Sequence, residues 1–174
     1  NLHRLSDWPD YALAALAFHE LVPGHHLESS AADGEAGLPM ARQLVWNVAY
    51  GEGWASYAET LADELDLYSE DPLSRIGYLQ SMLLRAAGLV VDTGIHNEHW
   101  TRDQAIAYLV QTVGISPEKS ADEVDTYTVR PGFAAAHWIG RERILDLRER
   151  AIRVIGPKFD PREFHRVILM GGPR

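Results

Sequence analysis

The sequence predicts an all-α fold, and three observations carry that expectation. Apolar residues recur at helical spacing through most of the chain. Helix-start and helix-stop residues punctuate it at regular intervals. Alternating apolar–polar runs are few, and the best of them, Leu89-Val90-Val91, is too short to matter.

The elements follow in order. Trp8-Pro9 after Asp7 suits a helix start, because a proline in the first turn lacks an N–H that would have no partner there anyway. The run Tyr11 to Leu21 is rich in Ala and Leu, good helix formers, and a Gly/Ala/Asp loop follows from Ala32 to Gly37. A long helix is expected from Pro39 to about Tyr68, ended by Ser69-Glu70-Asp71-Pro72. Asp71 caps the next, from Pro72 to about Val91, with Asp92-Thr93-Gly94 ending it and His96 in the loop beyond. Thr101-Arg102-Asp103-Gln104 is a capping box, and Gly114 closes the helix it opens. Ser116-Pro117 starts a fifth, broken by Pro131-Gly132. Ala134 to Ile155 and a last helix from Asp160-Pro161 to Gly171-Gly172 complete the set.

Composition narrows the class. A chain of 174 residues with 46% hydrophobic and 24% charged residues suits one globular domain, 1–174, with a sizeable core. A net charge of −9 disfavours nucleic acid and anionic membranes as general partners, and no apolar run approaches the ~20 residues of a membrane span. Without cysteine, any metal falls to His and carboxylate, and either compartment, cytoplasmic or periplasmic/secreted, stays open. The chain begins at Asn1 and reaches a helical pattern at once, so it reads as part of something longer.

The string Phe18-His19-Glu20-Leu21-Val22-Pro23-Gly24-His25-His26 holds the chemistry. In zinc peptidases a helical His-Glu-x-x-His sets two imidazoles one turn apart on one metal, and the Glu takes a proton from water. Here Pro23 stands where the second His belongs. It cannot donate to the carbonyl of His19, its ring clashes with that carbonyl, and it pushes Val22 out of helical geometry. On an undistorted helix His25 points about 120° away from His19. A helix bent by Pro23 and Gly24 instead brings His25, or after it His26, to the metal. The long helix supplies the third ligand. Its stripe Ala41, Val45, Val48, Glu52, Ala55, Glu59, Ala62 is apolar except for two glutamates, and a buried carboxylate needs a partner. Glu52 is favoured, with Gly51 and Gly53 beside it allowing another backbone close. Glu59 suits a supporting place, accepting from a ligand imidazole. Downstream, Arg85, Asp92, Thr93, His96 and His99 form a second polar set. Asp92 is a candidate for orienting a ligand His, His96 for binding substrate or an oxyanion, and Tyr127 for donating to an oxyanion. Trp46, Trp54 and Trp138 read as core or cleft lining.

His19-Glu20-x-x-Pro-Gly-His25-His26-Leu27, Tyr50-x-Glu52-Gly53-Trp54-Ala55-x-Tyr57-Ala58-Glu59 and Arg85-x-x-x-Leu89-Val90-Val91-Asp92-Thr93-Gly94-x-His96 together resemble the bacterial proteins grouped as domain of unknown function 885. So do Trp100-Thr101-Arg102, Pro131-Gly132 and Phe159-Asp160-x-Arg162-x-Phe164-His165, so the resemblance spans nearly the whole chain. It implies a helix-rich, gluzincin-like zinc metallopeptidase or related hydrolase, with this chain matching the C-terminal half of its longer members. By resemblance His19, Glu20, His25, His26 and Glu52 take the metal and base positions. The chain departs from the family's pattern at Thr126, Phe133 and His137-Trp138, where the family commonly has Tyr-Lys at the last pair; these changes bear on substrate preference.

The expectation is therefore Zn2+ held by His19, His25 and Glu52, Glu20 as general base and then acid, and Tyr127 or His96 at the oxyanion. The partners implied are a peptide or small amide substrate and the missing N-terminal half of the same protein. A metal-dependent lyase or non-peptide hydrolase, and a catalytically inert helical fragment, are the rivals.

Overall fold

The computed structural model describes residues 9–33 and 47–172. The start at Asp7-Trp8, the loop residues Gly34 to Gly37, the first part of the long helix with Ala41, Val45 and Trp46, and the final Pro173-Arg174 lie outside the described residues.

Among the described residues there are eight α-helices and no strand: α1 (Asp10–Glu20), α2 (His25–Asp33), α3 (Val48–Glu64), α4 (Pro72–His96), α5 (Arg102–Val113), α6 (Pro117–Val129), α7 (Phe133–Ile155) and α8 (Pro161–Gly171), with a short 3-10 turn, Gly156–Lys158, before α8. The fold is all-α. None of these helices is long and apolar enough to cross a membrane.

The starts are set by side chains that satisfy first-turn N–H groups. Asn47 accepts from Tyr50 N and Asp71 from Leu73 N, both at 3.1 Å. Thr101 and Gln104 form the reciprocal capping box. Ser116 accepts from Lys119 N and Asp160 from Arg162 N.

Two ends differ from expectation. α3 stops at Glu64, and Tyr68 beyond it is buried, stacked on Tyr78 at 5.5 Å. α4 runs past Asp92-Thr93-Gly94 to His96. Gly94 does not end it because its missing side chain is a packing device: a Cβ there would sit 2.6 Å from the Trp100 ring. Asp92 serves another helix. Its carboxylate accepts from the N–H groups of Gly132 (2.9 Å), Ala134 (3.0 Å) and Ala135 (3.2 Å), the open N-terminus of α7.

Three buried clusters hold the bundle together. Val91, Leu109, Val124 and Tyr127 join α4, α5 and α6. Ala15, Ala62, Tyr68, Tyr78 and Met82 join α1, α3, α4 and the turn after α3. Trp54, Tyr57, Ile144 and Leu169 join α3, α7 and α8. The most extensive pairing is α3 against α7. It is also close: a Cβ on Gly53 would fall 2.6 Å from the Gly140 backbone, and one on Gly140 would fall 1.8 Å from the Ala49 carbonyl oxygen. The close approach expected beside Glu52 is thus made by α7.

Candidate metal centre

The proline breaks the helix rather than bending it. α1 ends at Glu20, Leu21 to Gly24 form a turn with a cis Val22–Pro23 bond, and α2 begins at His25. The break follows from the chemistry of Pro23 and from Gly24, whose backbone lies so close to α1 that a Cβ would sit 1.8 Å from the His19 carbonyl oxygen. The indole N–H of Trp54 donates to the Pro23 carbonyl at 2.8 Å, pinning the turn to α3. Restarting the chain in this way sets the His25 ring edge-on to His19, centroids 4.8 Å apart.

His19, His25 and Glu52 come together: one ligand atom from each lies within 4.8 Å of the other two. The Nε2 atoms of His19 and His25 are 3.4 and 3.5 Å from Glu52 Oε2. Ligands about 2.0–2.1 Å from one tetrahedral zinc stand about 3.4 Å apart, so these separations and the two-nitrogen, one-oxygen donor set both fit zinc. His26, the alternative second ligand, is exposed.

Glu59 stands behind His19 rather than in its place as ligand source. It is fully buried, and its Oε1 lies 2.8 Å from His19 Nδ1. A carboxylate there can accept from an Nδ1–H and so leave Nε2 for a metal, though the Arg85 guanidinium also reaches the same Nδ1, at 3.0 Å. Arg85, 2.7 Å from Glu59 and hydrogen-bonded to Ser81, balances the buried charge.

The imidazoles and the carboxylate shift one another's protonation. Hydrogen bonds to Glu28 and Glu52 lift His25 to about 9, against its burial. Burial opposes charge on His19, but bonds to Glu52 and Glu59 outweigh it and raise its pKa. Burial would raise Glu52 too, yet contacts with His137, His19 and His25 hold it far below the carboxylate range. A bound cation takes the place of those protons.

A cavity of about 290 Å³ opens on the His19 side of the three, lined by His19, Glu20, Arg85, Tyr127, Phe133 and His137 among others, with His25 and Glu52 outside its lining. Glu20 is exposed at the end of α1. Tyr127 is buried, and burial pushes its hydroxyl well above the usual phenol range, so it remains an O–H donor. His96 is not among the cavity's lining: its Nε2 lies 3.0 Å from the Tyr127 carbonyl and 3.7 Å from Asp92. Asp92 meanwhile is spent on α7 rather than on a ligand imidazole. Trp54 is core, whereas Trp138 is half-buried under the Arg141 guanidinium.

Sequence reasoning noted His137 only as a departure from the family's pattern and gave it no place beside Glu52. Its Nε2 lies 3.1 Å from Glu52 Oε2, and its Nδ1 donates to the Phe133 carbonyl at 2.9 Å. It stands one turn before Gly140, the glycine that meets Gly53 beside Glu52, a meeting that only the fold reveals.

Comparison with solved structures gives close likenesses. A candidate lipoprotein from Colwellia psychrerythraea matches 99% of this chain with a TM-score of 0.95 and 42% identity. A candidate lipoprotein of unknown function from Shewanella oneidensis matches 97% with a TM-score of 0.87 and 25% identity. The chain spans 30% of the length of each. No curated protein matches it. The family model for bacterial proteins of unknown function, DUF885, matches residues 1–174, and the chain belongs to that family.

Proposed function

We propose that this chain carries the catalytic centre of a zinc-dependent hydrolase, a gluzincin-like metallopeptidase acting on peptide or small amide bonds. One observation carries the reading: two imidazoles and a carboxylate from three helices converge, with a cavity beside His19 and a buried carboxylate 2.8 Å behind its Nδ1. Bound zinc supplies a Lewis acid that makes water a nucleophile near neutral pH.

The chain's own groups do the rest. His19, His25 and Glu52 hold the ion, and Glu59 orients His19. The Glu20 carboxylate, at the rim, takes the proton from the attacking water and returns it to the leaving amine. Tyr127 offers its hydroxyl proton to the substrate oxygen that becomes negative. The rest of a polypeptide as long as the relatives would complete the cleft, and an envelope location accords with their description as lipoprotein candidates.

The test is zinc-dependent cleavage of a fluorogenic peptide library. Glu20→Gln is expected to keep its zinc and lose about 10²–10⁴-fold in turnover. Cleavage by Glu20→Gln at the wild-type rate would remove the base, and a zinc-loaded wild type that cleaves nothing would remove the peptidase. A second reading, a chain that binds metal without turnover, is favoured by its spanning only 30% of the related structures; that last outcome is the one it predicts.

A further inference from the structure

His137 enters neither the expected ligand set nor the expected oxyanion donors, yet its position is one of the most constrained in the site. It projects from α7 one turn before Gly140, whose backbone is locked against Gly53 of α3. Its Nδ1 donates to the Phe133 carbonyl at 2.9 Å, and the Phe133 ring lies edge-on to it at 4.9 Å, so the ring has little freedom to turn. The Phe133 carbonyl and the Glu52 carboxylate can only accept, so each ring nitrogen directs an N–H at its partner, and Nε2 is the one that faces the site. That atom lies 3.1 Å from Glu52 Oε2 and lines the cavity with Glu20 and Tyr127. It does not belong to the group whose ligand atoms all lie within 4.8 Å of one another. His137 therefore lies against Glu52 at the cavity wall, outside that three-residue group.

We infer that His137 is a catalytic donor of this centre: its Nε2–H hydrogen-bonds the substrate carbonyl oxygen as that oxygen becomes negative, the task sequence reasoning offered to His96. The inference rests on the metal-hydrolase reading above. No proton is transferred in the step; the bond to Glu52 is exchanged for a bond to the oxyanion, in a site already oriented for it. His96 does not fill this place, because its Nε2 is turned to the Tyr127 carbonyl.

The test is a binding experiment, so it does not depend on turnover. Zinc-loaded wild type, His137→Phe and His137→Gln are titrated with two probes. Acetohydroxamate chelates the metal without a tetrahedral centre, and a phosphonamidate dipeptide presents a tetrahedral anion. His137→Phe is expected to keep its zinc and its acetohydroxamate affinity and to lose about 100-fold for the phosphonamidate, the scale of one oxyanion donor. His137→Gln, which keeps an N–H donor, recovers part of that loss. Unchanged phosphonamidate affinity in both variants overturns the inference. Loss of zinc from both, with the apo proteins still melting like wild type, overturns it too, because His137 would then be a ligand. A wild type that takes up no zinc sinks the metal-hydrolase reading itself, a result separable from either of these.

Discussion

Nε2 atoms of His19, His25 and His137 approach a single oxygen of Glu52 from three helices, at 3.4, 3.5 and 3.1 Å. The groups behind this cluster decide how tightly it would hold a cation. Glu59→Gln removes the charge that holds the Nδ1 proton of His19, and zinc affinity measured by competition with a chelator is expected to fall about 10–100-fold. It also leaves Arg85 buried without its counter-charge, which costs about 3 kcal/mol of stability in urea unfolding. An unchanged zinc affinity would mean that Glu59 only packs. Gly24→Ala pushes a methyl group into the His19 carbonyl and is expected to cost about 1–3 kcal/mol and loosen the His25 side of the site. The meeting of His19, His25 and Glu52 was legible in sequence because Pro23 demands a reason and because two glutamates interrupt an apolar stripe. His137 was not, since its meaning comes from the helix facing it, and no spacing along one chain reports a contact between positions 52 and 137.

Helices bring those residues together, and their junctions bear the strain of substitution. The α3–α7 crossing at Gly53 and Gly140 leaves no room for a side chain. Gly140→Ala is expected to destabilise by about 1–3 kcal/mol and to separate Glu52 from His137, which a drop in urea midpoint together with weaker zinc binding would register. At the other face, α8 is tied to α3 through His165, whose Nε2 accepts from the Tyr57 hydroxyl at 2.8 Å. Burial, then the charge of Arg148, hold His165 below its usual 6.5. A histidine whose folded pKa is depressed adds stability above 6.5 and loses it as pH falls toward the folded value. Wild type is thus expected to lose more stability than His165→Gln between about pH 7.5 and pH 5; equal losses in the two proteins would contradict the assignment. Helix starts were readable because a cap is a local transaction between neighbours, as at Asp71, Thr101 and Ser116. The overrun of α4 was not: Asp92 and Gly94 look like a stop signal, while one caps α7 from 40 residues away and the other seats Trp100.

At the scale of the molecule, the bundle is a frame that holds one cleft among α1, α3, α4, α6 and α7. The all-helical class followed from periodicity and punctuation, but the depth of that cleft did not, because it depends on where α1 breaks. The described helices bury three apolar clusters among themselves. The central claim is that this frame exists to place three donors on one ion. The most direct test is the zinc content of the purified protein after exposure to excess zinc and gel filtration, beside His19→Ala and Glu52→Ala. About one zinc per chain in the wild type and far less in both variants is the predicted result. Equal zinc in all three, or none in any, would contradict it.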